Sequence, residues 1–203
     1  MKPKDIIPKD TRYVPFVQEK THCVPACISM IMYHQGIPLI SQQVLGHAMG
    51  MIVHRDDKKL FWSPPKASAN YMGRGYYGTQ IGLKKYHPNT VFPKLGIPLE
   101  MVFHPISSFD KSGIKKFLLE TQKSDKDIIV CFDAGKLNGH GKRGGHVSVF
   151  DVVEPSKNSV RIVDPQQSRP KWRNISISLL YESMKLHGDK NMGGFWEFRK
   201  KIL

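Results

Sequence analysis

The chain has 203 residues, of which 40% are hydrophobic, so it can bury a core, and we expect one domain spanning residues 1–203. It contains no run of about 20 apolar residues and no apolar signal region in MKPKDIIPKD, so the sequence predicts no membrane span and a cytoplasmic location. The formal net charge of +14 favours acidic partners, but no zinc-finger, helix-turn-helix or RNA-binding signature accompanies it, and we do not expect nucleic-acid binding.

A buried helix is predicted from Cys23 onward. Apolar residues dominate CVPACISMIMY, and the GIP at 36–38 is a typical helix terminator. Pro25 suits the first helical turn, because its missing N–H needs no partner there. Cys23 therefore lies at or near the N-cap, where the positive end of the helix dipole favours a thiolate. A second helix is predicted for SQQVLGHAM, with Ser41 as its N-cap.

Two glycine-rich segments are candidates for the wall of a substrate cleft. Residues 55–93 give no clear element, and their aromatic side chains either line a cleft or pack a long loop. These aromatics are Trp62, Tyr71, Tyr76 and Tyr77. The second segment, GKLNGHGKRGGH at 135–146, is basic and could bind a substrate carboxylate or gate the cleft.

The second half of the chain predicts a helix and then a sheet. DKSGIKKFLLETQKS has the spacing of an amphipathic helix with Ile114, Phe117 and Leu118 facing inward. DIIVCFDA, HVSVFDVV and SVRIVD predict three strands of an antiparallel meander. ISISLLYESMKLHG predicts a late helix, and GGFWEFRK a closing strand with Phe195 and Trp196 on opposite faces. The fold class is therefore α+β, with N-terminal helices packed on an antiparallel sheet.

Four residues form a candidate catalytic set. His146 opens one predicted strand and Asp164 ends the next, so an antiparallel pairing brings the two side chains together. Asp164 could then orient His146, which in turn could activate the Cys23 thiol as a nucleophile. Gln18 precedes Cys23 by five residues and could donate to an oxyanion together with the Cys23 backbone N–H. His140 shares a loop with His146 and is a second candidate base, but no strand follows it.

The segments QEKTHCVPACISMIMYHQG and GGHVSVFDVV…VRIVDP resemble the papain-like cysteine peptidases, in particular the bacteriocin-processing, double-glycine leader peptidase group and its free-standing relatives. This resemblance implies a papain-like cysteine protease fold, hydrolysis of a peptide or related amide through a thioester, and the catalytic residues Gln18, Cys23, His146 and Asp164. The chain departs from that group in having His22 and Val24 around the cysteine. A weaker similarity, in RIVDPQQSRPKWRNISISLLYESM, is to the phytochelatin synthase branch, which implies transpeptidation.

Several alternatives remain open from the sequence. The same triad could serve an acyl or peptidyl transferase, and a catalytically silent fold could use its basic surface for binding. The three cysteines, Cys23, Cys27 and Cys131, are an odd number, so the chain is not a disulfide scaffold. Cys27 could be a resolving thiol or half of a metal site, and Cys131 is predicted to be a core strand residue. We expect no metal and no cofactor, and a peptide or protein substrate that could be acidic.

Overall fold

The computed structural model describes residues 7–61, 66–68, 77–141, 143–169 and 171–201. The helices in chain order are α1 (Cys23–His34), α2 (Gln42–Ala48), α3 (Pro88–Val91), α4 (Lys111–Gln122), α5 (Ala134–Asn138) and α6 (Ile177–His187). The strands are β1 (Ile52–His54), β2 (Lys66–Ser68), β3 (Leu99–Pro105), β4 (Asp127–Asp133), β5 (Gly145–Glu154), β6 (Ser159–Val163), β7 (Trp172–Ser176) and β8 (Gly194–Lys200).

Six strands form one antiparallel sheet in the order β3-β8-β4-β5-β6-β7. Strands β4, β5 and β6 are consecutive neighbours, so the predicted meander is confirmed. The last strand, β8, lies between β3 and β4 and joins the two halves of the sheet. β1 and β2 form a separate parallel pair.

Helices cover both faces of this sheet. Ile129, Val149 and Trp196 belong to the core cluster that contains the α1 side chains. The alternate positions, such as Phe150 and Phe195, belong to the cluster that contains α4 and α6. Burying each such side chain stabilises the fold by about 1.5–3 kcal/mol. The opposite placement of Phe195 and Trp196 and the α+β fold with helices on an antiparallel sheet are both confirmed.

The predicted helices occur where the sequence indicated them. Cys23 is the first residue of α1, and His22 is its N-cap. The Ser41 hydroxyl caps α2 by accepting from the Gln43 N–H. Ile114 and Leu118 of α4 are buried, as predicted. Within the described part of the chain, no helix is long and apolar enough to cross a membrane.

The β1–β2 pair and both edge strands of the six-stranded sheet were not predicted. β3 pairs with β8, which lies about 95 residues later in the chain, so no local pattern reveals the pairing. β7 is short and mostly half-exposed, and it takes Ile175 and Ser176 from the predicted late helix, which begins instead at Ile177. Ser176 is the N-cap of that helix and accepts from the Leu179 N–H. Trp62, Tyr71 and Tyr76 lie outside the described residues.

A buried carboxylate on β4 holds the far end of α1 and the N-terminal arm in place. Asp127 is fully buried, and its Oδ1 accepts from the Tyr13 hydroxyl at 2.5 Å and lies 2.9 Å from His34 Nδ1. Its Oδ2 accepts from Gln35 Nε2 at 2.6 Å. A buried ionised group needs such partners, because an unpaired one is costly. Asp127 therefore ties the arm and the C-terminus of α1 to the sheet.

We expect Tyr13→Phe to lower the free energy of unfolding by about 1–3 kcal/mol, because it removes a donor from a buried acceptor. Tyr33→Phe is the matched control, since Tyr33 lies on α1 with 54% exposure and should change stability by less than about 0.5 kcal/mol. Urea unfolding followed by circular dichroism measures both. Equal effects of the two substitutions would contradict the anchoring role of Asp127.

Candidate active site

Cys23 lies at the N-terminus of α1, where the N–H groups of the first turn have no partner inside the helix. α1 packs against β5, and the Cys27 thiol, one turn further on, approaches the Val147 carbonyl at 3.7 Å. Cys23 is partly exposed, whereas Cys27 and Cys131 are buried, and all three are free. Burial raises the pKa of both buried thiols well above the ordinary value, which leaves Cys23 as the candidate nucleophile.

His146 is the second residue of β5 and pairs with Phe132 of β4. Its ring is buried and meets the Phe132 ring edge-on. The preceding Gly145 is needed for space, because a Cβ there would lie 2.8 Å from the His187 ring. The sheet thus fixes the imidazole, while the backbone just before it packs closely against the last residue of α6.

Asp164 directly follows β6 and is fully buried. His146 Nε2 lies 2.9 Å from Asp164 Oδ1, so the sheet does bring the two residues together as the sequence predicts. Asp164 Oδ1 also accepts from the Gln166 N–H at 2.9 Å, and the Asp164 N–H donates to the Lys171 carbonyl at 2.7 Å. Because Nε2 faces Asp164, the other ring nitrogen of His146, Nδ1, is left for Cys23.

The electrostatics of this pair favour the imidazolium. Burial by itself lowers the pKa of His146, but the hydrogen bonds to Asp164 and Cys23 outweigh it and raise the pKa to about 9. Burial raises the pKa of Asp164, but the hydrogen bond from His146, its charge and further donors hold the pKa at about 2. At neutral pH the arrangement therefore holds a cationic His146 between Asp164 and the thiol.

Gln18 lies on the N-terminal arm that leads to Cys23. Its backbone N–H donates to the Pro165 carbonyl at 2.9 Å, which joins the arm to the residue after Asp164. The Gln18 Oε1 atom is buried with no hydrogen-bond partner among the described residues. The side chain of Gln42 on α2 brackets Gln18, because it donates to the Val17 carbonyl at 2.9 Å and accepts from the Glu19 N–H at 3.1 Å.

A tight turn connects Gln18 to α1. The His22 N–H donates to the Glu19 carbonyl at 3.0 Å, and Thr21 has a φ of 63°, which a β-branched residue rarely adopts. His22 is buried, stacks near Phe61 and has a pKa lowered by burial, so its neutral form is favoured. This turn sets the spacing between Gln18 and the helix N-terminus.

A cleft of about 690 Å³ opens beside Cys23 and His146. Its walls are formed by residues 77–83, residues 143–147 and the end of α6 with the turn that follows. Ile81, Met192 and Trp196 give it an apolar floor, and Cys131 also reaches it. Tyr77, for which the sequence left cleft lining and loop packing as alternatives, is among the lining residues, whereas Gln18 is not among the described ones.

Besides His146, which is paired with Asp164, the charged residues in the described lining of this cleft are Asp133, Arg143 and Lys190. Arg143 Nε donates to Asp133 at 3.3 Å and Arg143 also donates to the Leu186 carbonyl, so those two charges are paired. Lys190 is exposed and makes no described ion pair. Burial lowers the pKa of His187, which favours its neutral form. The cleft therefore carries a positive charge at its rim.

Two further residues at the site carry no signal that sequence analysis could have recognised. Arg173 Nη1 donates to Asp164 Oδ2 at 2.6 Å, and Gln42 holds the backbone around Gln18. Both act through contacts set by strand register and helix packing, for which no local motif exists. His140, the second candidate base, is exposed on its loop. Within the described ranges, no group of three or more His, Cys, Asp or Glu side chains could hold a metal ion.

No protein-family model matches this chain, and no curated protein matches it. Its structure is similar to the crystal structure of a "putative C39-like peptidase" from Bacillus anthracis, with a TM-score of 0.56. The two share 12% sequence identity, over 94% of this chain and 96% of that one. This likeness shows a common fold and fits the papain-like cysteine protease fold expected from the sequence. The narrower resemblances, to the bacteriocin-processing group and to phytochelatin synthase, stay predictions.

Proposed function

We propose that this protein is a papain-like thiol hydrolase that cleaves a peptide or related amide bond. The observation that carries the proposal is the buried His146–Asp164 pair, with a 2.9 Å contact, next to a partly exposed cysteine at a helix N-terminus. A nucleophile, a base and an orienting carboxylate in this order form the general triad arrangement. The open cleft beside Cys23 gives a substrate access to the thiol.

The reaction would proceed in two stages. The Cys23 thiolate attacks the amide carbonyl carbon, a C–S bond forms, and the carbonyl oxygen becomes an oxyanion. His146 gives its proton to the amide nitrogen, the C–N bond breaks, and the amine leaves the thioester. Neutral His146 then takes a proton from water as the water oxygen attacks the thioester carbon; the C–S bond breaks, the acid leaves, and the Cys23 thiolate and the His146 imidazolium are restored. Asp164 remains ionised throughout and stabilises the imidazolium.

The oxyanion would be stabilised by the backbone N–H of Cys23 and the carboxamide of Gln18. The Cys23 N–H lies in the first turn of α1, where it has no helical partner. The Gln18 Oε1 accepts no hydrogen bond from the described residues, so turning Nε2 towards an oxyanion would break no described contact of that oxygen. Losing one such donor costs about 10²–10³-fold in kcat.

The cleft charge supports an acidic peptide as the substrate. Asp133 and Arg143 neutralise each other, so Lys190 supplies the unpaired charge of the described lining. The whole chain adds a net charge of +14, which would attract an acidic partner over a longer range. Ile81, Met192 and Trp196 would contact apolar parts of the same peptide.

The activated thiol can be tested without a substrate. At pH 6.5, iodoacetamide should modify Cys23 at least about tenfold faster in the wild type than in His146→Ala, because the imidazolium stabilises the thiolate. Peptide mass spectrometry separates the three cysteines, and buried Cys27 and Cys131 should resist until the protein unfolds.

His140→Ala is the matched control for this experiment, because His140 is exposed on the same loop and should leave the labelling rate within about twofold. Cleavage of a synthetic peptide pool should disappear in Cys23→Ala. Equal rates of Cys23 labelling in the wild type and His146→Ala would refute the ion pair between Cys23 and His146. Slower labelling in His140→Ala instead would assign the base to His140.

The substrate preference can be tested with peptide pools that differ only in acidic or basic residues near the scissile bond. The wild type should prefer the acidic pool, and Lys190→Glu should reduce that preference about fivefold, as expected for about 1 kcal/mol of charge interaction. Lys185→Glu makes the same charge change on exposed α6 surface and should keep the preference. An equal preference for the acidic pool in Lys190→Glu and Lys185→Glu would contradict a role of Lys190.

Gln42→Ala should lower kcat about tenfold and leave KM within about twofold, because it loosens the backbone on both sides of Gln18 and so misplaces an oxyanion donor. Gln43→Ala is the control, since Gln43 is the next residue of α2 and donates to the Glu19 side chain. Steady-state kinetics on a cleaved peptide gives both constants. Indistinguishable kcat values for Gln42→Ala and Gln43→Ala would argue against the role of Gln42 in holding the backbone around Gln18.

A further inference from the structure

The Asp164 carboxylate has two oxygens, and only one of them serves His146. Oδ1 faces His146 and the Gln166 N–H, both at 2.9 Å. Oδ2 is occupied by Arg173 Nη1 at 2.6 Å. Since Asp164 is fully buried, its second oxygen would otherwise lack a charged partner. Arg173 is therefore part of the charge balance at the candidate triad.

Arg173 also connects Asp164 to the segment that precedes His146. Its second terminal nitrogen, Nη2, donates to Asn138 Oδ1 at 2.8 Å. Asn138 ends α5 and its Nδ2 donates to the Ala134 carbonyl at 2.6 Å, so this side chain is itself fixed. Because the guanidinium is planar and rigid, holding both Nη atoms fixes the direction of the Asp164 contact.

We propose that Arg173 is a positioning residue of the catalytic site: it binds Asp164 Oδ2 and Asn138, and thereby holds Asp164 Oδ1 towards His146 while sharing the carboxylate charge with it. This inference rests on the proposed function. Arg173 is not among the residues that line the cleft described above. Arg173 acts on the reaction only through Asp164. It fixes the direction of the carboxylate and limits how strongly that carboxylate stabilises the proton on His146.

Other charged or titratable groups surround the pair and remain unchanged in the test. α1 contributes Cys23 and Cys27, and the charge of Asp164 helps to raise the pKa of the buried Cys27 thiol. The segment between β6 and β7 contributes Arg169 and Lys171, whose ammonium donates to the Gln166 carbonyl at 3.0 Å. The cleft side contributes Asp133, Arg143, His187 and Lys190. Arg173 differs from these groups in that it donates a hydrogen bond directly to Asp164 Oδ2.

The test compares Arg173→Met with the wild type in two measurements. NMR titration of the His146 ring should move its midpoint upward by about half a unit to one unit, because a positive charge near the imidazolium is lost. The alkaline limit of kcat/KM should move in the same direction, since the proton on His146 is lost at higher pH. At neutral pH, kcat should fall about tenfold with KM within about twofold, because Asp164 is less well oriented.

Arg173→Lys separates charge from geometry. A lysine restores the positive charge, so the titration midpoint should return to within about 0.2 units of the wild type. It cannot bind Asp164 and Asn138 with a rigid fork, so kcat should recover only in part. This variant also keeps the test valid if Arg173→Met folds poorly.

Arg161→Met is the matched control for loss of a buried ion pair. Arg161 on β6 donates to the buried Asp151 at 2.7 Å and has a similar low exposure, 9% against 15% for Arg173. The Arg161→Met variant should be less stable than the wild type, but its His146 titration midpoint and its pH profile should be unchanged. The inference is overturned if Arg173→Met leaves the midpoint unchanged or lowers it, or if its kcat matches that of Arg161→Met.

The experiment also separates this inference from the proposed function. The His146 titration needs no substrate, so it reports on Arg173 even without a known peptide. If peptide cleavage persists in Cys23→Ala, the proposed function fails while the titration still reads the Arg173 contact. If cleavage depends on Cys23 but Arg173→Met behaves like Arg161→Met, the function stands and the positioning role fails.

Discussion

The contact between His146 and Asp164 is the interaction on which the geometry of the site depends. Both side chains are buried, and two charges taken out of water stay stable only when each has good partners. The protein meets this requirement with Gln166 on one oxygen of Asp164 and Arg173 on the other. The resulting charge pattern, with the pKa of Asp164 at about 2 and that of His146 at about 9, favours a proton on the imidazole at neutral pH.

The two halves of the site come from different layers of the fold. The antiparallel register of β5 and β6 brings His146 and Asp164 together, whereas the thiol arrives on α1 from one face of the sheet. Asp127 fixes the distant end of α1 through His34 and Gln35, so the helix cannot slide along the sheet without breaking hydrogen bonds to a buried carboxylate. Anchoring at one end of the helix thus supports the position of Cys23 at the other.

The N-terminal arm links these layers. Tyr13 attaches it to β4, Gln18 attaches it to Pro165, the residue after Asp164, and Gln42 attaches it to α2. The strained φ of Thr21 lies between these attachments and Cys23, where the chain must turn sharply into the helix. Attachment at these points suits the role proposed for Gln18 as a donor to the oxyanion, because a donor that is already held in place needs no reorganisation during the reaction.

The elements that carry the candidate triad were predictable from local sequence: the helix that begins at Cys23, the strand that begins beside His146, and the strand that Asp164 directly follows. Each depends on a local signal, namely apolar periodicity, a helix terminator or an antiparallel hairpin. The edge strands β3 and β7, the contacts of Arg173 and Gln42, and the walls of the cleft were visible only in the folded chain. These features join residues that are distant in sequence or set by strand register, and hydrophobic periodicity within one segment carries no information about which segments pair.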